Sequence, residues 1–199
     1  MSVAESKAFH IGDHDKATLE AAYDRTVAAW NLFLYDGFGS YDPDVIYNRI
    51  DYLANGLDCR IISLDHLSIL LSGLDGDERR MIDTTMTKLR SLVERTGVAM
   101  FLVSHLKRSS TDQGHEEGAR VTLGQLRGSA AIAQLSDGCI AIERDQQDRS
   151  EHATSTIRVL KNRYSGETGI ACHLKYNLDT CQFYESDEAQ PDFNPSTDF

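Results

Sequence analysis

Residues 59–66, Cys-Arg-Ile-Ile-Ser-Leu-Asp-His, form a short apolar run that ends in an acid. A run of this kind, with little polar alternation, is typical of a strand that is buried on both faces, as strands of parallel sheets are. Such a strand delivers its final carboxylate, here Asp65, to the carboxyl edge of the sheet, where open α/β proteins bind ligands. The run therefore predicts an α/β fold with an acid placed as in the second (Walker B) nucleotide motif.

No phosphate loop accompanies that acid in the sequence. The motif G-x-x-x-x-G-K-[ST] cradles phosphates with backbone amides and a lysine, yet none of the 14 glycines is followed by lysine. A chain with the metal-holding acid and without the phosphate cradle is either a piece of a nucleotide hydrolase or a subunit that takes its other half from a neighbour.

Length, charge and cysteine usage limit the other possibilities. The 199 residues fit one domain, and a formal net charge of −11 argues against a uniformly basic nucleic-acid surface. The sequence has no apolar stretch long enough for a membrane span and no signal-peptide core near its start. Cys59, Cys139 and Cys172 lie in apolar surroundings, which predicts buried free thiols and a reducing, cytoplasmic compartment.

Strand and helix patterns alternate through the middle of the chain. Asp77 and Gly97 delimit an amphipathic helix from 77 to about 96, and Gly56 ends a second helix that begins at 43. Apolar runs between and after these helices predict strands. The predicted strands are 31–36, 59–65, 98–104, 138–143, 155–161 and 169–176.

This order of elements predicts the fold class and the boundaries. A β-α-β-α-β succession implies a mainly parallel sheet flanked by helices, and the last three strands predict antiparallel hairpins that complete a mixed sheet. We expect a helical lead-in over 1–30, a core over 31–184 that lacks its phosphate-loop strand, and an acidic tail over 185–199. The tail carries five acids and no lysine or arginine, a composition typical of disorder.

Two polar side chains, Asp65 and His105, follow strands that are successive in the chain. Asp65 could hold Mg²⁺ through water, with the metal bridging nucleotide phosphates, or it could cap a turn. His105 could contact a γ-phosphate or the attacking water, or it could be an ordinary structural histidine.

Other polar residues also allow two interpretations each. Lys107 and Arg108 open a polar loop over 107–118 that could contact nucleic-acid phosphates or simply be solvated. Gln134 could orient a water or relay the nucleotide state, or it could be a buried, hydrogen-bonded amide. Lys161 and Arg163 share one face of a strand end, where they could stabilise a transferring phosphoryl group or be surface cations.

Eight segments, taken in order, resemble the helicase domain of the primase–helicases of T-seven-like phages, within the hexameric replicative (DnaB-like) helicase family. The resemblance covers about 31–185, and eight motifs in this order are far more specific than any one alone. The motifs are LYDGF at 34–38, IISLDHLSIL at 61–70, DERRMIDTTMTKL at 77–89, VSHLK at 103–107, GHEEG at 114–118, LRGSAAIAQLSD at 126–137, IERDQQ at 142–147 and LKNRYSGETG at 160–169.

The resemblance implies roles for the residues of the catalytic site. Asp65 matches the acid associated with the metal-bound nucleotide, and His105 matches the residue that senses the γ-phosphate. Gln134 matches the glutamine of the switch motif. Arg163 matches the arginine finger that reaches the nucleotide of the next subunit, and Lys161 matches its companion in the K-x-R pattern.

The resemblance also implies binding roles outside that site. The loop opened by Lys107 and Arg108 matches a loop that holds single-stranded DNA in a central channel. Arg144 and Tyr176 match residues that sandwich the nucleotide base. The acidic tail ending at Phe199 resembles the segment that docks the replicative DNA polymerase, although from composition alone it could equally be a solvating tail.

Taken together, the resemblance implies a RecA-like core and the C-terminal part of a phage ATP-dependent helicase. The parent enzyme is expected to move 5′ to 3′ on single-stranded DNA as a homo-oligomeric ring, a hexamer, using Mg²⁺ with ATP or dTTP. Because the phosphate loop is absent, the chain alone is expected to lack ATPase activity. Two alternatives remain: a non-catalytic module that regulates a full helicase or recruits a polymerase, and a recombinase with the same core fold.

Overall fold

A computed structural model of the chain divides into two compact units, which are described separately. The described parts of residues 1–38 group with 176–183, and the described parts of 39–175 group with 184–199. The residues that the structure describes are 13–30, 32–35, 42–71, 76–107, 114–126, 130–148, 153–178 and 180–187.

The first described elements of the small unit are helix α1, Asp13–Arg25, and a 3₁₀ turn, Ala28–Trp30. Both elements fall within the predicted helical lead-in. Residues 32–35 are exposed and form no strand, so the predicted strand over 31–36 is wrong for these four residues. An apolar run adopts a strand only where another strand pairs with it, and its composition alone does not supply that partner.

The large unit starts with alternating helices and parallel strands, and the predicted helices at 43–56 and 77–96 are confirmed. A short helix that directly follows the first strand was not predicted. In chain order the elements are helix α2 (Pro43–Gly56), strand β1 (Ile61–Leu64), helix α3 (Leu67–Leu71), helix α4 (Glu78–Thr96) and strand β2 (Ala99–Leu102).

Both long helices begin and end at residues whose chemistry specifies the boundary. The Asp42 carboxylate accepts a hydrogen bond from the Asp44 amide at the start of α2, and Asp77 accepts one from the Arg80 amide at the start of α4. Gly97 ends α4 with a φ of 73°, in the left-handed region that glycine adopts without strain.

Strands β1 and β2 are parallel neighbours, with Ile61 opposite Ala99 and Leu64 opposite Leu102. Alternate residues of a strand point to opposite faces of the sheet. One face, which includes Ile62, packs against the helices. The buried apolar residues of this core are Ile50, Ile62, Leu67, Leu70, Leu71, Ile82, Met86, Leu89, Leu92, Val98 and Ile132.

The other face of β1 and β2 is largely uncovered by the described residues. Ile61 is 67% exposed, Phe101 60% and Val103 45%. Apolar side chains of this size are seldom left in water as a group, because burying each one stabilises a fold by about 1.5–3 kcal/mol. We call these three residues (Ile61, Phe101 and Val103) the apolar sheet face, and exposed apolar groups of this kind are typical of surfaces that another polypeptide covers.

Among the described residues that follow, a four-stranded sheet forms. A 3₁₀ turn, Leu123–Gln125, and a six-residue helix, α5 (Ala130–Leu135), lead into strands β3 (Gly138–Arg144), β4 (Ser155–Asn162), β5 (Gly169–Asn177) and β6 (Gln182–Ser186), which lie in the order β3-β4-β5-β6. Strands β3, β4 and β5 are antiparallel neighbours in this sheet.

The first three of these strands confirm the predicted strands at 138–143, 155–161 and 169–176, whereas β6 was not predicted. It includes Glu185 and Ser186, the first residues of the predicted tail. The expectation of one mixed sheet is wrong for the described residues, in which the parallel pair and the antiparallel strands form separate sheets.

Two further expectations concern cysteines and membranes. All four cysteines are free thiols; Cys59, Cys139 and Cys172 are half-buried and Cys181 is exposed. Among the helices of the described ranges, none combines the length and apolar character needed to cross a bilayer.

Candidate functional site

The carboxyl edge of the parallel sheet carries Asp65 and His105. The Val103 amide donates to the Leu64 carbonyl at 3.0 Å, and the Leu67 amide donates to the Val103 carbonyl at 2.9 Å, so the segments that follow β1 and β2 remain side by side. The rings of His66 and His105 meet edge to face with centroids 4.3 Å apart. The parallel register thus places Asp65 and His105 at one edge, as the sequence predicts.

Asp65 is exposed and forms no hydrogen bond or ion pair with other described residues. Mg²⁺ is commonly held by one or two carboxylates together with substrate phosphates and waters. Across the described ranges there is no cluster of three metal-ligating side chains. Asp65 therefore fits a metal that arrives with a nucleotide and does not fit a metal caged by protein alone.

His66 is a residue of this edge that the sequence interpretation missed. It follows Asp65 directly through a cis peptide bond, and its ring lies against the exposed ring of His105. Its Nδ1 atom is buried and has no hydrogen-bond partner within the described part of the chain. Its position immediately after the strand-ending acid is the signal that could have identified it.

The polar loop that begins at Lys107 has a well-defined stem. The Lys107 amide donates to the Gln125 carbonyl at 2.7 Å, and Nε2 of His115 lies 3.0 Å from the Lys107 carbonyl oxygen. On the far side of the loop, the Gly114 amide donates to the Glu117 carboxylate at 3.1 Å. Lys107 is exposed at the end of this stem, whereas Arg108 lies outside the described residues.

A buried ion pair joins β3 to β4, and its carboxylate also binds the segment after the loop. The Glu143 carboxylate accepts from Nε of Arg158 at 2.8 Å and from Nη2 at 3.0 Å. It also accepts from the Val121 amide at 2.8 Å. The strand alternation of β3, which places Glu143 on the same inward face as Ala141, is the signal that could have predicted an acid in need of a buried partner.

Three predicted residues, Gln134, Lys161 and Arg163, meet at the C-terminal end of α5 together with Asp137. We call these four residues the α5 junction. The Lys161 ammonium donates to the carbonyls of Ala133 at 2.6 Å, Ser136 at 2.8 Å and Gln134 at 3.3 Å. A cation is favourable at a helix C-terminus, where carbonyls lack partners within the helix. Lys161 therefore caps α5.

Arg163 is held at the same junction. Its Nη2 donates to the Gln134 carbonyl at 2.8 Å, and its Nη1 donates to the Asp137 carboxylate at 2.8 Å. Gln134 thus joins Lys161 and Arg163 through its backbone, whereas its side chain is exposed. The interpretation of Gln134 as a buried amide is wrong, because the short helix presents that position to solvent.

Asp137 also binds Arg90, which lies beside this junction, and no sequence pattern assigned a role to either residue. One carboxylate oxygen of Asp137 accepts from Arg163, and the other accepts from Nη1 of Arg90 at 2.7 Å. The hydrogen bond from Arg90 is the largest of the effects that hold the pKa of Asp137 below its ordinary value, and the charges of Arg163 and Lys161 act in the same direction. Burial raises the pKa of the neighbouring Cys139 thiol.

The remaining candidates lie elsewhere. Arg144 is exposed at the end of β3 in the large unit. Tyr176 belongs to the small unit, where its ring packs on Phe183 with centroids 4.9 Å apart. A hydrogen bond with Cys181, followed by burial, raises the pKa of Tyr176. The proposed polymerase-docking residue, Phe199, lies outside the described residues.

Comparisons with known proteins agree with the geometry. Residues 2–185 match the family model of the DnaB-like helicase C-terminal domain. The chain is 42% identical over 159 residues to the DNA helicase/primase of Enterobacteria phage T3, an alignment that covers 79% of this chain and 28% of that relative. It therefore spans little more than a quarter of that protein.

A solved structure gives the fold independently. The chain is similar to the ATPase domain of the protein G-forty-P with a TM-score of 0.70 and 18% identity, over 92% of this chain and 65% of that one. At this identity the likeness shows the fold alone. The predicted fold class, a RecA-like α/β core with antiparallel hairpins, is confirmed.

Proposed function

This chain belongs to the DnaB-like helicase C-terminal domain family, and on that premise we propose that it is the C-terminal portion of a phage replicative DNA helicase. The enzyme that it serves would be an ATP-dependent translocase that moves 5′ to 3′ on single-stranded DNA as a ring, expected to be a hexamer. The observation that carries this proposal is the shared sheet edge of Asp65 and His105. A stand-alone regulatory module is not favoured, because the family match runs over nearly the whole chain.

At that edge the chain would supply part of a nucleotide site. Asp65 would hold, through water, the Mg²⁺ of bound ATP or dTTP, and the metal would neutralise charge on the phosphates. His105, in contact with His66, would face the γ-phosphate or the attacking water. The backbone amides and lysine of a phosphate loop are needed to position the phosphates, and this sequence does not contain that motif. We therefore expect the isolated chain to bind nucleotide weakly and to lack ATPase activity.

The apolar sheet face supports the proposal that another polypeptide segment supplies the phosphate loop. Parallel sheets are normally covered on both faces, yet the described residues cover only one face of β1 and β2. A further polypeptide segment that carries the phosphate loop would bury Ile61, Phe101 and Val103. This is why we propose that the chain works as part of a larger protein or assembly.

The α5 junction would serve the neighbouring subunit. Arg163 would act as an arginine finger on the nucleotide of the next subunit, a contribution worth about 10³–10⁵ in rate. Lys161, which caps α5, would set the position of the strand end that carries Arg163. Gln134, which both cations contact through its carbonyl, would relay the nucleotide state to this junction. Arg144 would contact a nucleotide base, a role that we also propose for Tyr176.

Binding of DNA and of a polymerase would use other parts of the chain. Lys107, at the end of a well-defined stem, and Arg108 would contact the phosphates of single-stranded DNA in the channel of the ring. Such contacts give affinity without sequence readout. The acidic tail ending at Phe199 would dock the replicative DNA polymerase. Repetition of one loop in every subunit explains how a chain with a net charge of −11 could bind DNA.

A chimera tests this function. This chain would replace the aligned region of the phage T3 DNA helicase/primase, and DNA-stimulated nucleotide hydrolysis would be measured. We expect an active chimera in which Asp65→Asn and Arg163→Ala each lower kcat by about 10³ or more. Arg95→Ala is a matched control, because within the described ranges Arg95 forms only an exposed ion pair with Asp51. A chimera that cannot hydrolyse nucleotide while the parent enzyme does would contradict the proposal.

Mixing the two inactive chimeras tests the placement of the finger between subunits. In a mixed ring, the Arg163→Ala subunit keeps Asp65 and the Asp65→Asn subunit keeps Arg163, so some interfaces contain one intact copy of each. We therefore expect partial recovery of hydrolysis on mixing. Absence of any recovery in verified mixed rings would mean that Arg163 acts within its own subunit.

A further inference from the structure

Arg163 is held by an acid that is itself shared with a second arginine. The Asp137 carboxylate accepts from Arg163 at 2.8 Å through one oxygen and from Arg90 at 2.7 Å through the other. The Arg163 amide also donates to the Asp137 carbonyl at 2.8 Å. Both the backbone and the side chain of Arg163 are therefore fixed to one residue, on the turn that follows α5.

This arrangement leaves the guanidinium of Arg163 available to a ligand. A guanidinium has five N–H donors, and within the described residues two of them are used, one by Asp137 and one by the Gln134 carbonyl. The Arg163 side chain is 43% exposed. Most of its donors can thus contact a phosphate from outside while its orientation is kept.

The charges around Arg163 also favour contact between its guanidinium and a phosphate. An acid that paired with Arg163 alone would neutralise the cation that a phosphate must meet. Here Arg90 and Lys161 add two positive charges to that of Arg163. Glu94, which binds Arg90 at 2.8 Å, is the second acid beside Asp137. Three cations against two acids leave the group with one net positive charge, so the guanidinium is oriented without losing its attraction for an anion.

We propose that Asp137, held from its other side by Arg90, is the positioning residue that orients the Arg163 guanidinium toward the nucleotide of a neighbouring subunit. The proposal rests on the proposed function, because the anion is a nucleotide phosphate only if the chain works within a ring. Orientation before the ligand arrives matters because a misplacement of about 1 Å can lower a rate about 100-fold.

The first experiment uses the chain itself and does not depend on catalysis. Nitrogen-15 relaxation of the Arg163 Nε–H group reports how rigidly the guanidinium is held. We expect an order parameter near that of rigid backbone, about 0.8, which falls below about 0.6 in Asp137→Asn. Asp51→Asn is the matched control, since Asp51 also pairs with an arginine of α4, Arg95 at 2.6 Å, and it should leave Arg163 unchanged. An equally rigid Arg163 in Asp137→Asn would overturn the proposal.

The second experiment uses the active chimera. Asp137→Asn should lower kcat by about 10- to 100-fold with KM little changed, and Asp137→Glu, which keeps the charge, should recover part of the loss. Added to Arg163→Ala, Asp137→Asn should cause no further loss, because its effect passes through that arginine. Unchanged kcat in Asp137→Asn, or losses that multiply in the double variant, would refute the positioning role. An inactive chimera would contradict the proposed function alone, since the relaxation experiment still decides the role of Asp137.

Discussion

Removal of the Glu143 carboxylate should destabilise the large unit more than removal of one partner from an exposed ion pair. The Glu143 side chain is 5% exposed and the Arg158 side chain is 14% exposed. Water can therefore replace few of the hydrogen bonds between them. The substitution Glu143→Ala removes the acceptor for two guanidinium donors and for the Val121 amide. The Arg158 guanidinium and the Val121 amide then lose the buried carboxylate that they share.

The size of the effect follows from the loss of this shared acceptor. Breaking a buried pair by removing one partner typically costs about 3–5 kcal/mol, and an unsatisfied buried donor costs about 1–3 kcal/mol. The two terms overlap, since both depend on water reaching the same site, and Arg158 retains some solvent contact. We therefore expect a loss of about 4 kcal/mol in the free energy of unfolding, or roughly 8–16 °C in Tm for a chain of this size.

Urea unfolding followed by far-ultraviolet circular dichroism measures this loss. Asp51→Ala is the control, because it removes an acid from an ion pair that is just as short but exposed, and it should cost less than about 1 kcal/mol. The double substitution of Glu143 and Arg158 by methionine should recover most of the loss, since it removes both charges of the buried pair. A loss below about 1 kcal/mol in Glu143→Ala would refute the reasoning from burial.

Two further predictions concern stability. Gly97→Ala should lower the free energy of unfolding in urea by about 1–2 kcal/mol. Gly97 has a φ of 73° and open space around its Cα, so the cost is backbone strain alone. Gly124→Ala is the control, because Gly124 also faces open space, and it should cost far less. Because the folded-state pKa of Asp137 is depressed, its contribution to stability is present above the unfolded value, near 3.9, and is lost as the pH falls through the lower folded value. The stability difference between wild type and Asp137→Asn should therefore be constant from pH 7 to 5 and shrink below about pH 4; a difference that grows on acidification would contradict the assignment.

Local signals explain what could be predicted from the sequence. Asp77 and Gly97 mark the ends of α4 within one residue, because caps act on the first and last turns of a helix. The shared edge of Asp65 and His105 was also predictable, since parallel strands deliver their carboxyl ends to the same side. In both cases the information lies within a few residues of the feature.

Contacts between distant positions explain what could not be predicted. Arg90 and Asp137 are 47 positions apart, and no pattern along the chain pairs them. The strand expected at 31–36 is a related case. Residues 32–35 have the composition of a strand, but composition does not specify a distant partner strand, and these residues form none. Helix α3, Leu67–Leu71, is too short to produce a helical repeat in the sequence and depends on burial of its leucines in the core.

The lysine cap on α5 has a mechanical consequence. Three carbonyls at and just beyond the end of this helix bind one ammonium group on β4, so a shift of the strand would either carry the helix end along or break these hydrogen bonds. Ile132 of α5 in turn belongs to the core that contains Leu89 and Leu92 of α4. We therefore expect a displacement of β4 to be transmitted through α5 to the core that contains α4.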